Sequence, residues 1–172
     1  KPVRGIVPFP PGASLDTMAR LVTQKAGESV GQPFVVENRA GANGMIGSEV
    51  VAKSAPDGYT ILATTTSTHI SAPYLVKKLP YDPRKDVTPI TAAVDAVTVL
   101  AVNSAVPVNS ARELVDYLKK SPGKITYGTP GVGNAFHLVG EIFQSSQGVS
   151  LLHVPYKGIV QAVQAAATGE VS

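Results

Sequence analysis

The sequence predicts an α/β fold built on mainly parallel sheets. Short apolar runs rich in β-branched residues alternate with amphipathic helical stretches along the chain, and proline- and glycine-containing turns separate them. One local order also recurs: strand, Gly/Pro turn, then capped helix, at residues 5–18, at 125–137 and, more weakly, at 151–163.

Residues 5–9 read as a buried strand that Pro10, Pro11 and Gly12 stop. Ser14 is placed as the N-cap of a helix reaching about Val30, with Leu15, Met18, Ala19, Val22 and Ala26 on one face. Gly31 and Pro33 end it, and Phe34, Val35, Val36 and Glu37 make a second strand. A loop with two glycines and two asparagines, residues 38–44, precedes a second helix with Ile46, Val50 and Val51 inward. After the Asp57-Gly58 turn, residues 59–63 form a third strand, followed by the polar run Thr64-Thr65-Thr66-Ser67-Thr68-His69 and a short helix near 71–76. Residues 79–86 are a proline-pinned crossover, and 97–102, β-branched and apolar, read as another strand. The domain change falls here, giving 1–97 and 98–172. Ser110 caps a helix carrying Leu114, Val115 and Leu118, and residues 124–127 are a strand. Residues 128–134 then lead into a helix with Phe136, Val139, Gly140 and Phe143 inward. A strand at 151–154 holds His153 as a core residue, and the next helix bears Ile159, Val163 and Ala166. Gly169 is its expected C-cap, with a further strand expected beyond it; the stub that ends at Ser172 reads as a truncated second domain.

Composition narrows the function classes. Hydrophobic residues are 44% of 172, enough for a packed core, and only 16% are charged, which argues against disorder. The net charge of +3 comes from scattered basic residues, so no nucleic-acid surface is expected. The absence of cysteine removes thiolate metal sites, disulfides and cysteine nucleophiles together. The most apolar stretch, 92–102, is too short to span a membrane and contains Asp95, so no membrane insertion is expected.

A strand that runs through a tight glycine turn into a helix presents backbone N–H groups at the positive end of the helix dipole, where an anion can sit. Facing turns of this kind from two lobes would line a site with amides and the hydroxyls or amide of Ser14, Thr129, Asn134 and residues 64–68. Competing chemistries fit less well. Gly131-Val132-Gly133 starts a dinucleotide fingerprint, but Phe136 stands where its third glycine belongs. Ser14 lacks the Gly-x-Ser-x-Gly elbow of an α/β hydrolase, which leaves a hydrolase using Ser14 as an alternative without a base or oxyanion motif. His137 and Glu141, four apart on a helix, are half a metal pair with no second half nearby; a role for His137 in shaping the glycine loop fits better. No metal and no cofactor is expected.

The residues also resemble a known family. The runs Val7-Pro8-Phe9-Pro10-Pro11-Gly12, Ser14, Asp16, Ala19-Arg20, Gly31-Gln32-Pro33 and Val36-Glu37-Asn38-Arg39 carry the likeness. So do Gly41, Gly44, Ile46-Gly47, Pro56-Asp57-Gly58-Tyr59-Thr60, Thr68-His69, Leu79-Pro80-Tyr81-Asp82-Pro83 and Lys85-Asp86. Tyr127-Gly128, Gly131, Gly133, His137-Leu138, Gly140-Glu141 and His153-Val154-Pro155-Tyr156-Lys157-Gly158 complete it, collinearly over essentially the whole chain. The chain thus resembles the periplasmic solute-binding receptors of tripartite tricarboxylate transporters, the Bordetella-uptake-gene (Bug) type. The resemblance implies a two-lobed, hinged receptor, secreted to the periplasm with its leader removed. It implies a monomer that closes on a mono-, di- or tricarboxylate and delivers it to integral membrane transporter subunits, or alternatively to a signalling partner. The implied ligand-binding residues are Phe9, Pro10, Pro11, Gly12, Ala13, Ser14, Asp16, Thr66, Thr68, His69, Thr129, Pro130, Gly131, Gly133, Asn134, His137 and Tyr156. Four positions depart from the family pattern: Ala13 for a glycine, Leu15 for a threonine, Asn134 for a serine and Gln161 for a proline. Members of the family also continue well beyond the point matching Ser172, into the rest of the second lobe.

Overall fold

The computed structural model describes residues 1–172, which fall into two compact units, 1–96 and 97–172. Each is described by itself.

The first unit is organised on β1 (Val3–Val7), the central strand of a three-stranded parallel sheet ordered β2-β1-β3. β2 (Phe34–Asn38) pairs along its whole length, Val3 opposite Phe34 and Val7 opposite Asn38; β3 (Thr60–Leu62) pairs with Arg4, Gly5 and Ile6. A parallel strand flanked on both sides and covered by helices is buried on both faces. Ile6 and Val7 are accordingly 0% exposed, with Val3, Ala19, Ala72 and Tyr81 completing the core. α1 (Ser14–Val30) returns the chain to β2, and Gly31 ends it in the left-handed conformation, φ +66°, that glycine adopts at no steric cost.

α1 buries Asp16, Ala19 and Thr23; of the face expected from hydropathy (Leu15, Met18, Ala19, Val22 and Ala26) only Ala19 is buried, and Val22 is 43% exposed. Two polar residues can face the core because their polar atoms are satisfied there: Thr23 Oγ1 donates to the Ala19 carbonyl at 2.7 Å, and Asp16 collects the donors described below. α2 (Met45–Ala52) differs in the same way. Gly47 and Ser48 are its buried residues, while Ile46 is exposed. A Cβ at Gly47 would lie 2.7 Å from Pro8 Cβ and 3.0 Å from the Arg39 carbonyl, so only glycine lets α2 press this closely on the end of β1. The polar run ends in a π-helical turn, Ser67–Ser71, continued by the short α3 (Ala72–Leu75). The buried Tyr81 hydroxyl, from the proline-pinned crossover, donates to the Thr68 carbonyl at 2.7 Å and anchors that turn.

The second unit holds a two-stranded parallel sheet, β4 (Thr126–Thr129) beside β5 (Leu152–Pro155), with Thr129 opposite Pro155. α4 (Ala111–Lys120) begins as expected at Ser110, whose hydroxyl accepts from the Glu113 amide, and buries Leu114 and Leu118. α5 (Ala135–Gln147) and α6 (Ile159–Thr168) follow β4 and β5. Asn134 caps α5 by accepting from the Phe136 amide, and Gly169 ends α6 at φ +79°. α6 buries Ala162 and Ala165 and leaves Val163 exposed, one step from the expected face. On α5, Phe136 and Val139 are exposed.

The run 97–102 is not a strand. No strand pairs with it, and Val97 and Val99 are 89% and 77% exposed. β-Propensity reports fit to a pleated, half-buried surface, and without a neighbouring ladder the run has no such surface to fit. No helix of the chain is long and apolar enough to cross a membrane.

Candidate functional site

The turn between β1 and α1 is built on a type II pattern. Pro11 and Gly12 are its central pair, Gly12 has φ +78°, and the Ala13 amide donates to the Pro10 carbonyl at 3.3 Å. Ser14 does not cap the helix. Ala13 occupies the N-cap position and Ser14 is the first helical residue, with no side-chain cap bond at this end. Asp16 reaches back and accepts from the Gly12 amide at 2.9 Å. Its carboxylate also accepts from Arg20 Nε at 3.1 Å on both oxygens and from Asn38 Nδ2 at 2.9 Å. Asn38 Nδ2 donates in addition to the Phe9 carbonyl at 3.0 Å, and Arg20 Nη2 donates to Asn38 Oδ1 at 3.0 Å. One carboxylate, 4% exposed, thereby ties both ends of the turn to the end of β2. Arg20 and then the Gly12 amide hold its pKa down at about 2, against the opposing effect of burial.

With the Gly12 and Ala13 amides engaged inside the turn, the open donors are the amides of Ser14, Leu15 and Asp16 in the first turn of α1. No side chain caps them. They stand at the positive end of a 17-residue helix, the usual place for a carboxylate or phosphate.

The hydroxyl-rich segment is mostly committed to the fold. Thr68 is fully buried, its Oγ1 3.3 Å from Thr65 Oγ1, and it packs with Phe9 around Gly44. Thr64 Oγ1 and His69 Nδ1 lie 3.0 Å apart, and burial lowers the His69 pKa. Thr66 is exposed at the head of the π-helical turn.

In the second unit, residues 129–134 form a closely self-bonded loop. Thr129 is buried and its Oγ1 accepts from the Gly131 amide at 3.3 Å; the Asn134 amide donates to the Gly131 carbonyl. Pro130 is half-buried within it. Two histidines brace the loop, His153 from β5 and His137 from the first turn of α5. His153 Nε2 lies 2.6 Å from Thr129 Oγ1, and His137 Nδ1 accepts from the Gly133 amide at 3.3 Å. Accepting at Nδ1 puts the proton of a neutral His137 on Nε2, 3.7 Å from Glu141. The two imidazoles meet at a tilt of 41°, their centroids 4.3 Å apart. Burial and the neighbouring His137 push the His153 pKa down, with Glu141 opposing. The Tyr127 hydroxyl donates to Glu141 at 2.9 Å and passes over Gly140, where a Cβ would come within 2.5 Å of the ring. Tyr156 donates through its hydroxyl to Glu170 at 2.9 Å, and its amide donates to the Thr129 carbonyl at 2.8 Å.

The expected residues therefore gather in two groups, one in each unit: Phe9 to Asp16 with Thr66, Thr68 and His69, and Thr129 to His137 with Tyr156. Sequence reasoning missed Arg20 and Asn38 as parts of the first group, and His153, assigned to the core, is a brace of the second. Arg20 and Asn38 stand within the family-like runs, but nothing in those runs tells that their side chains meet at Asp16.

Comparison with known proteins gives the family. Residues 18–172 match the family described as "Tripartite tricarboxylate transporter family receptor". The protein BugT of Bordetella pertussis is 39% identical over 164 residues, an alignment covering 95% of this chain and 50% of BugT. Among solved structures, Rpa4515 of R. palustris with adipate is 35% identical with a TM-score of 0.86, covering 98% of this chain and 56% of that one. MatC (Rpa3494) from Rhodopseudomonas palustris with bound malate is 31% identical with a TM-score of 0.87, covering 98% and 57%. The chain spans about half the length of the curated relatives it matches.

Proposed function

Because the chain belongs to the tripartite tricarboxylate transporter receptor family, we propose that it serves as a periplasmic receptor for a small organic anion, with dicarboxylates such as adipate and malate as first candidates. The observation that carries this reading is the β1–α1 turn. It presents open helix-terminal amides at Ser14 and Leu15, and its charged side chains are already paired with one another. Such a site recognises a carboxylate through dipoles rather than a formal countercharge. Relatives of the same fold were solved with adipate and with malate, which supports the ligand class.

In this reading the loop at residues 129–134 gives further polar contacts, with His137 and His153 holding it in shape. Delivery to an integral membrane transporter follows from the family's description and belongs to the same proposal. A thermal-shift screen of the full chain against mono-, di- and tricarboxylates tests it. Carboxylates should raise the melting temperature, as any ligand that binds only the native state does. A rise with a sugar or a cationic amine and none with any carboxylate overturns the anion reading.

A further inference from the structure

We propose that Asp16 is the positioning residue of the carboxylate site: its carboxylate shapes the turn from behind and does not itself touch the ligand. The inference rests on the reading of residues 10–14 as a ligand turn. Its own ground is the bonding at Asp16, a side chain 4% exposed whose oxygens are fully occupied by protein donors. A ligand carboxylate and a buried ionised carboxylate repel, so direct contact between them would be unfavourable. Asp16 avoids that conflict by turning its charge inward. It faces Arg20, one turn further along the helix, and Asn38 at the end of β2.

Two consequences follow for recognition. First, the Gly12 amide is withdrawn from the ligand, since it donates to Asp16 at 2.9 Å. The donors left to meet a carboxylate are then the amides of Ser14, Leu15 and Asp16, which point along the helix axis rather than across the turn. Second, Asp16 and the Asn38 bond to the Phe9 carbonyl fix the turn at Phe9 and Gly12, on either side of Pro10 and Pro11. The open amides are thereby preorganised before any ligand arrives, and a preorganised site forfeits less ordering entropy on binding. Arg20 has the matching task. Its guanidinium neutralises Asp16, so the turn presents an anion with helix-terminal dipoles and no net negative charge.

The test compares wild type, Asp16→Asn and Val3→Ala, the last a core variant at the far end of β1 that lowers stability without touching the turn. Two readouts are taken on each full-chain protein: hydrogen exchange of the Gly12 amide, and calorimetric affinity for adipate and malate. Asp16→Asn should speed Gly12 exchange at least tenfold beyond the change in Val3→Ala. It should also weaken the better ligand tenfold or more, while Val3→Ala binds as wild type does. Unchanged Gly12 exchange in Asp16→Asn, or faster exchange with unaltered affinity, overturns the positioning role. If wild type binds neither acid, adipate and malate fall as its ligands, and Gly12 exchange still decides whether Asp16 holds the turn.

Discussion

Protonation of Asp16 should cost the first unit measurable stability, in a pH window set by its own depressed pKa. Arg20 and the Gly12 amide hold the carboxyl down at about 2 in the folded chain, against its ordinary 3.8. The ionised form is thus favoured in the native state, and its contribution is complete above a pH of about 4 and is lost as pH falls through about 2. A shift of that size corresponds to about 2.4 kcal/mol at 1.36 kcal/mol per unit. Its principal partner, Arg20, is 50% exposed, so solvent screening reduces the expected value to about 1–2 kcal/mol. Urea unfolding of wild type and Asp16→Asn, followed from pH 7 to pH 2, measures it. Wild type should be the more stable at pH 5–7, and most of the gap should disappear by pH 2. Parallel curves with a constant gap across that range would refute the reasoning, because the difference would then owe nothing to ionisation.

Three further outcomes are expected. Ser14→Ala should change the unfolding free energy by less than about 0.5 kcal/mol, since Ser14 caps nothing, yet weaken carboxylate affinity in calorimetry. Gly140→Ala should destabilise the second unit by about 1–3 kcal/mol despite the better helix propensity of alanine, because the new methyl overlaps the Tyr127 ring; denaturant midpoints of the two proteins decide it. His153 has a folded pKa below the usual 6.5, so its neutral form is favoured and nothing is lost above about pH 6.5. As pH falls from there the unfolded chain takes up the proton first, and stability declines until the folded pKa is reached. His153→Gln should flatten that decline in a pH series of thermal unfolding, and an unaltered slope would contradict it.

The parts of the fold set by periodicity and punctuation were legible in the sequence; the parts set by side-chain satisfaction were not. Alternating strands and helices, the stop at Gly31, the Ser110 cap and the Gly169 C-cap all follow from local chemistry that one sequence displays. The buried face of α1 does not, because Asp16 and Thr23 count as polar in any hydropathy stripe and become core residues only once β2 supplies Asn38 and the helix its own carbonyls. The close packing at Gly47 is likewise tertiary: glycine was visible there, and Pro8 as its neighbour was not. Residues 97–102 erred in the other direction, since a β-branched apolar run specifies a strand only where another strand lies beside it. At the site, the turn and glycine loop could be recognised as repeated strand-to-helix junctions, and His137 bracing the loop was foreseen from its place in the first turn of α5. The division of labour within the first turn, with Gly12 and Asp16 serving the fold and Ser14 and Leu15 left open, emerges only from the hydrogen bonds.

On the receptor reading, a carboxylate is met by the open amides that begin α1. An adipate titration of the isotopically labelled full chain, followed amide by amide, tests it most directly. Saturable shifts concentrated at Ser14 and Leu15, with Gly12 still protected by Asp16, are the predicted result. Saturable binding that leaves the Ser14 and Leu15 amides unmoved would contradict it.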